Sequence, residues 1–184
     1  MEAPEVTPAA PVPWSDRAAV IGARPAPATE GAARLAALWA GGRLAGAFDE
    51  DAVQRLSGYL RFVRVPAGQC VIEQDEGGDF MVIVLEGRLV VERAGNGGAA
   101  TARLAEARPG DVLGEMALLD HGPRLSRCST RTPSLIAVLE TDALARLMAE
   151  DANLALVLLG SLARRLSLRL RQVSARLSAL LAEG

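Results

Sequence analysis

Residues 62–91 read FVRVPAGQCVIEQDEGGDFMVIVLEGRLVV, and the order of apolar runs and turns in this stretch decides the fold. Runs rich in Val, Ile, Leu and Phe are interrupted by turn residues at 66–68, 76–79 and 86–87. Short β-branched and apolar runs bounded by Gly, Pro and Asp are typical of strands joined by tight turns. The stretch therefore predicts successive short strands, at 62–65, 71–72, 80–85 and 89–91.

The strand pattern continues toward the C-terminus. Residues 95–98, Gly-Asn-Gly-Gly, favour a hairpin loop, and residues 102–104 are expected to form the returning strand. A turn follows at 109–111, and the last apolar strand is expected at 134–139. Many short strands at this spacing predict an antiparallel β-roll of the double-stranded β-helix or jelly-roll type.

Helical patterns precede the strands, so the predicted fold class is α+β. Apolar residues recur with helical spacing over 32–39, and Gly41 and Gly42 end that helix. An acidic cluster at 49–51 precedes further apolar residues and predicts the start of a second helix, over about 50–60. These helices and the roll make up a predicted domain over residues 31–140.

The first 30 residues are rich in Pro, Ala and Thr. Such a segment buries too little apolar surface to offset the entropy lost when it becomes ordered. Residues 1–30 are therefore predicted to be a disordered tail, and Trp14 within it is interpreted as an idle aromatic.

Residues 141–184 are predicted to form a hinge followed by lid or dimerisation helices. Thr141 and Asp142 are expected to cap a helix, and a long helix is expected over 153–181. From Leu166 onward the apolar residues of the long helix follow heptad spacing. They are Leu166, Leu170, Val173, Leu177 and Leu180. Such a seam packs on the roll, on a second copy or on both. The basic residues nearby are interpreted as the solvated face of a dimer helix; they are Arg164, Arg165, Arg169, Arg171 and Arg176.

Composition and charge exclude several classes of function. The chain has 184 residues and a formal net charge of −2, which gives no basic footprint for nucleic acid. Two cysteines are too few for a disulfide framework, and no apolar run reaches the roughly 20 residues that cross a bilayer. The N-terminus lacks the pattern of a signal peptide, so we expect a cytoplasmic protein that does not associate with membranes.

Enzymatic chemistry is not expected from this composition. The single histidine, His121, is too few for the metal site of an enzyme on a cupin-like roll, which commonly has two or three histidine ligands. No nucleophile lies beside a base. A cupin-like enzyme stays an alternative that metal analysis would reveal.

The informative chemistry lies in residues 110–129, GDVLGEMALLDHGPRLSRCS. Gly114 permits a tight backbone turn, and residues 115–119 can form one helical turn whose free N–H groups attract an anion. Arg124 offers a planar, permanently charged fork for phosphate oxygens. Glu115 accepts hydrogen bonds, as a sugar hydroxyl requires. Together these residues suit a ribose cyclic phosphate better than a free phosphate.

This stretch resembles the phosphate-binding cassette of the cyclic nucleotide-binding domains of the catabolite activator and cyclic-nucleotide-dependent kinase superfamily. The matching residues are Gly114-Glu115-Met116-Ala117-Leu118 and Pro123-Arg124. Glycine-bearing turns in the same order extend the resemblance over about residues 45–170; they lie at 66–68, 78–80, 85–87 and 109–111. The resemblance implies that Glu115 binds the ribose 2′-hydroxyl and Arg124 binds the cyclic phosphate. It also implies that the backbone of Gly114, Met116 and Ala117 lines the pocket.

One departure from the family pattern follows the arginine directly. The family usually has small residues there, often ending in Ser or Thr, whereas this chain has the bulky Leu125 and then Ser126. Ser126 is then expected to supply the hydroxyl near the phosphate, and Arg127 is expected to point to solvent. The departure keeps a second hypothesis open, in which a degenerate roll binds no ligand and acts as a dimerisation or docking module.

The resemblance implies a stand-alone sensor of cAMP or cGMP that signals by moving its C-terminal helix about a hinge near 141–153. We expect a homodimer through the helix over 159–181 and a protein partner for the signal. Family members that regulate transcription carry a helix-turn-helix domain after this helix. Since the sequence ends at Gly184, direct DNA binding is not expected.

Overall fold

The computed structural model describes residues 11–40, 49–95 and 100–182. Two predicted features, the helix end at Gly41 and Gly42 and most of the hairpin loop at 95–98, lie outside these residues. The helices are α1 (Trp14–Val20), α2 (Ala28–Ala40), α3 (Glu50–Ser57), α4 (Glu115–Asp120), α5 (Thr141–Glu150) and α6 (Ala152–Ala182). The strands are β1 (Arg24–Pro25), β2 (Arg61–Val65), β3 (Cys70–Ile72), β4 (Phe80–Glu86), β5 (Leu89–Arg93), β6 (Ala102–Ala107), β7 (Val112–Leu113), β8 (Arg127–Thr130) and β9 (Ser134–Glu140).

The strands form the predicted antiparallel roll. One sheet has the order β1-β2-β9-β4-β7 and the other has the order β3-β8-β5-β6. β9 lies between β2 and β4, and its register pairs Phe62 with Ala137 and Val82 with Val138. The α+β fold class, with N-terminal helices and a long C-terminal helix around the roll, is therefore confirmed.

Side-chain alternation along β4 explains why this strand is apolar throughout. Phe80, Val82 and Val84 face the space between the two sheets, where they meet Val71, Leu89 and Cys128. Met81, Ile83 and Leu85 face the helices, where they meet buried residues of α3, α5 and α6. Because both faces of β4 are covered, the sequence shows a continuous apolar run instead of an alternating one.

The predicted disordered tail over 1–30 is wrong for residues 11–30. Trp14 of α1 is 4% exposed and packs in the core between the sheets, and β1 adds to the edge of β2. The roll supplies the apolar surface that this segment does not bury by itself. Residues 1–10 lie outside the described part of the chain. We call residues 11–25 the N-terminal strap.

The C-terminal helices share one core with the roll and the N-terminal helices. Leu144, Leu147, Leu154 and Leu158 are buried in it. The predicted cap at 141–142 is wrong, because Glu140 occupies the cap position and the Thr141 hydroxyl instead donates to the Asp79 carbonyl at 2.8 Å. Beyond its first half α6 leaves the core, and apolar residues of its seam are exposed; they are Leu170, Val173, Leu177 and Leu180.

A short joint separates the last two helices. Asp151 lies between α5 and α6, and its carboxylate accepts from the Leu154 N–H at 3.0 Å and from Arg55 Nε at 3.0 Å. The joint is thereby held to α3. Within the described residues, no helix is both long and apolar enough to cross a membrane.

Candidate functional site

A tight turn and a short helix form the framework of the candidate site. Gly114 has φ of 80°, a left-handed conformation that favours glycine, and α4 begins at the next residue. A Cβ at Gly114 would lie 2.5 Å from Nη1 of Arg124, so the turn also needs glycine for space. The helix ends at Asp120, and the next residue, His121, caps it with φ of 56° and is exposed. We call residues 112–127 the cassette.

The cassette holds the Arg124 side chain inside the protein. Arg124 is 3% exposed, its Nη1 donates to the Gly114 carbonyl at 2.9 Å, and its Cζ lies 4.5 Å from the centroid of the Phe80 ring. A Cβ at Gly78 would lie 2.4 Å from Cζ. The guanidinium is therefore enclosed by an aromatic ring and two glycines, and a larger residue at either glycine would displace it.

Two buried polar atoms at this place have no hydrogen-bond partner among the described residues, Nη2 of Arg124 and Oδ1 of Asp79. Burial lowers the pKa of Arg124 from its ordinary value, an effect opposed by the negative charge of Asp79. Burial raises the pKa of Asp79, and the positive charge of Arg124 opposes that shift. An arginine remains charged in a protein, so the site presents a buried cation with one donor free for an anionic oxygen.

Glu115 lies at the start of α4 and is 4% exposed. Its Oε1 accepts a hydrogen bond from Nη1 of Arg169 on α6 at 3.0 Å. One turn earlier on the same helix, Nη1 of Arg165 donates to the Gly110 carbonyl at 3.2 Å. The long helix therefore contacts the cassette through Arg169, and Arg165 contacts the backbone two residues before the cassette.

These contacts correct the interpretation of the basic residues of α6. Arg165 and Arg169 were expected on the solvated face of a dimer helix, whereas Arg169 donates to Glu115 of the cassette and Arg165 donates to Gly110 just before it. Their spacing of four residues places them on one side of the helix. That spacing was the available signal, but sequence alone does not show which element the two residues face.

The remaining predicted site residues occupy different environments. Ala117 is buried beneath Gly78, while Met116 is partly exposed. Leu125 is 50% exposed, so its bulk projects away from the enclosed guanidinium. The Ser126 hydroxyl interacts with the Cys128 thiol, whose pKa burial raises to about 12. Arg127 is exposed, as expected, and lies 3.7 Å from Glu73.

A cleft of about 910 Å³ adjoins the site. It is bounded by α1, by residues 77–79 and by the start of α5, and Gly78 and Asp79 line both the cleft and the surroundings of Arg124. Glu115 and Arg124 do not line it. Among the described residues, no group of three or more His, Cys, Asp or Glu side chains could hold a metal ion.

Comparisons with known proteins agree with this geometry. Residues 62–151 match the family model of the cyclic nucleotide-binding domain. A CRP-like cAMP-activated global transcriptional regulator of Mycobacterium tuberculosis is 32% identical over 118 residues, which cover 64% of this chain and 52% of the regulator. The chain thus spans about half the length of that curated relative.

Solved structures show the same architecture. A cyclic nucleotide-binding domain from Methylobacillus flagellatus superposes with a TM-score of 0.71 at 25% identity, covering 81% of this chain and 83% of that domain. The catabolite activator protein of Thermus thermophilus superposes with a TM-score of 0.67 at 25% identity, covering 75% of this chain and 62% of that protein. With the enclosed arginine, the buried glutamate and the glycine turn in one cassette, residues 62–151 belong to the cyclic nucleotide-binding domain family.

Proposed function

We propose that this chain senses a 3′,5′-cyclic nucleotide, cAMP or cGMP, at the cassette and transmits the binding event through α6 without catalysing a reaction. One observation carries the proposal. Arg124 is buried, charged and held between Phe80 and two glycines, and its Nη2 lacks a partner among the described residues. A cyclic phosphate supplies an acceptor and a negative charge for that donor.

Glu115 supplies the complementary polarity. Its carboxylate is buried and accepts from Arg169. The 2′-hydroxyl of a ribose is a donor, so it can replace or share this interaction. A buried cation for the phosphate beside a buried acceptor for the sugar fits a cyclic nucleotide. Inorganic phosphate has no sugar hydroxyl to donate to the carboxylate, and its negative charge would be repelled by it.

The proposed signal follows from the Arg169 contact. A sugar that reaches Glu115 changes the partner of Arg169 and with it the position of α6 relative to the cassette. The joint at Asp151, between α5 and α6, is the place where α6 would turn. The ligand can shift this equilibrium only by the difference between its affinities for the two positions of the helix.

The far half of α6 favours self-association. Leu170, Val173, Leu177 and Leu180 are between 55% and 69% exposed and follow heptad spacing. A second copy of the chain would cover this seam as a coiled coil. The same seam supports a second candidate function, a dimerisation or docking module that acts without a nucleotide. If the chain is a sensor, a protein partner for the signal would bind the surface that moves with α6.

Calorimetric titration with cAMP and with cGMP separates the two functions. For protein stripped of any co-purified nucleotide, we expect a Kd in the micromolar range, about −8 kcal/mol, with at least one of the two. Arg124→Ala should weaken binding by at least about thirtyfold, since it removes a buried charged partner. Arg127→Ala is the matched control, because that neighbouring arginine is exposed, and it should bind like wild type. Absence of heat with both nucleotides from folded protein would favour the docking module.

A further inference from the structure

The backbone ties Arg124 to a neighbouring turn that the N-terminal strap also contacts. The Arg124 N–H donates to the Glu76 carbonyl at 2.8 Å, and the Asp75 N–H donates to the Arg124 carbonyl at 2.9 Å. Gly77 forms an antiparallel bridge with Pro123 and a parallel bridge with Pro11 of the strap. The strap therefore extends the same backbone ladder that positions Arg124.

An ion pair between a buried arginine and a half-buried glutamate links α1 to this turn. Arg17 is 9% exposed, and its Nη2 donates to the Glu76 carboxylate. Arg17 is also close enough to Arg124 for the two positive charges to act on each other, and the negative charge of Glu76 acts on Arg124 in the opposite direction. Glu76 thus balances two guanidinium groups, one from the strap and one from the cassette.

An aromatic contact forms a second link. The ring centroids of Trp14 and Phe80 are 5.1 Å apart at an interplanar angle of 70°, and Phe80 carries the guanidinium of Arg124 on its ring face. An edge-to-face pair of this kind stabilises the contact beyond the burial of the two rings. Trp14 therefore fixes the ring against which Arg124 rests.

We propose that α1 is a positioning element of the cassette, in which Arg17 acts through Glu76 and Trp14 acts through Phe80 to hold Arg124 in its binding position. This inference rests on the proposed function for its effect on nucleotide affinity. It goes beyond that function because α1 lies outside residues 62–151, the region matched by the family model. Nucleotide binding by this chain would then depend on residues outside the matched region.

The first arm of the test measures stability without a ligand. Arg17→Met and Arg124→Met are compared singly and together by urea unfolding. If α1 positions Arg124, their effects on the unfolding equilibrium constant are non-additive by about fivefold or more. Arg34→Met is the matched control, because Arg34 of α2 forms an ion pair of its own, with Nε 2.6 Å from the Glu86 carboxylate. Its effect on unfolding should add to that of Arg124→Met. Additivity for Arg17 within twofold would overturn the inference.

The second arm measures nucleotide affinity by calorimetry. Arg17→Met should weaken binding about five- to tenfold, because the Glu76 charge then turns to Arg124. Adding Glu76→Gln should restore most of the affinity, and Arg17→Lys should retain it. A purely structural role for Arg17 would give no rescue by the second substitution, and equal affinity of wild type and Arg17→Met would overturn the inference.

The third arm uses Trp14 as a spectroscopic reporter. In a Trp39→Phe background Trp14 is the only tryptophan, and its emission should shift when Arg124 is replaced by Met and when nucleotide binds. If the wild-type protein binds neither nucleotide but the effects of Arg17→Met and Arg124→Met on unfolding are non-additive, the sensor proposal is wrong and α1 remains a positioning element for Arg124. If the wild-type protein binds nucleotide but the two substitutions have additive effects on unfolding and the emission of Trp14 is unchanged, the inference is wrong and the sensor proposal remains.

Discussion

Replacing Gly78 by Ala should destabilise the protein through a clash with Arg124. The added Cβ would lie 2.4 Å from Cζ and Nε of Arg124 and 2.7 Å from Cβ of Ala117, where ordinary contacts are 3.4–4 Å. The atoms must separate by about 1 Å, and overpacking of this size costs about 1–3 kcal/mol. The loss of chain entropy in the unfolded state offsets about 0.4–1 kcal/mol. The middle of each range leaves an expected net loss of about 1.3 kcal/mol, or about 3–5 °C in Tm for a chain of this size.

Urea unfolding and a double-mutant cycle measure this effect. The matched control is Gly160→Ala in α6, where a Cβ would meet nothing within 4 Å, and this change should stabilise the helix by up to about 1 kcal/mol. In an Arg124→Ala background the clash with Arg124 is gone and the contact with Ala117 remains, so part of the cost of Gly78→Ala should disappear. The reasoning is refuted if Gly78→Ala costs nothing, or if its cost is the same with and without the Arg124 side chain.

Three further predictions concern α6 and the buried thiol. Arg169→Ala removes a half-exposed competitor for the Glu115 carboxylate, so cyclic nucleotide should bind about two- to fivefold tighter by calorimetry, whereas Arg171→Ala on the exposed side of α6 should change nothing; weaker binding would contradict the competition. Leu177→Glu should abolish self-association in analytical ultracentrifugation and remove any dependence of Tm on protein concentration, whereas Ser178→Glu on the outer face of the heptad should change neither. An unchanged sedimentation coefficient for both variants would place the dimer contact elsewhere. Burial raises the pKa of Cys128 to about 12, so the folded state retains a proton that the unfolded state loses at lower pH, and the free energy of unfolding should fall as pH rises from about 9 to about 12. The fall should be smaller in Cys128→Ala, and equal slopes of the free energy of unfolding against pH in the two proteins would argue against a buried neutral thiol.

The roll could be predicted because its signals are local. Each predicted strand from 62 to 91 is a short apolar run between turn residues, and β2, β3, β4 and β5 begin and end within about two residues of the predicted positions. β7 and β8 were not predicted. β7 has only two residues, Val112 and Leu113, within the stretch interpreted as the phosphate-binding cassette, and β8 carries Arg127, Ser129 and Thr130 and shows no apolar run. Their place in the sheets is set by partners distant in sequence.

The cassette likewise has features that the sequence could predict and one contact that it could not. Gly114, Glu115 and Arg124 lie within eleven consecutive residues, so their chemistry could be inferred from spacing and residue type. The partner of Glu115 is Arg169, 54 residues away, and that contact depends on how α6 packs. Which of five arginines in one helix faces the cassette cannot follow from helical periodicity alone, because the periodicity fixes sides of the helix but not their neighbours.

The strap shows why composition misjudged the N-terminus. The composition argument weighs the ordering entropy of a segment against the apolar surface that the segment itself can bury. Residues 11–25 lack a core of their own, but Trp14, Arg17 and Ile21 are buried against surface supplied by the roll. A segment of low complexity can therefore be ordered by a few anchors when a folded neighbour offers sites for them.

The two ends of the described chain thus converge on the same cassette. Arg17 of α1 pairs with Glu76 beside Arg124, and Arg169 of α6 pairs with Glu115. Coupling between binding events is reciprocal. If a nucleotide raises the equilibrium constant for displacing α6 from the cassette by some factor, the protein with α6 displaced must bind that nucleotide more tightly by the same factor. A partner protein that captures the free seam of α6 would then raise nucleotide affinity, whereas one that presses α6 onto the cassette would lower it. Measuring nucleotide affinity with and without self-association therefore determines the direction of the signal before any partner has been identified.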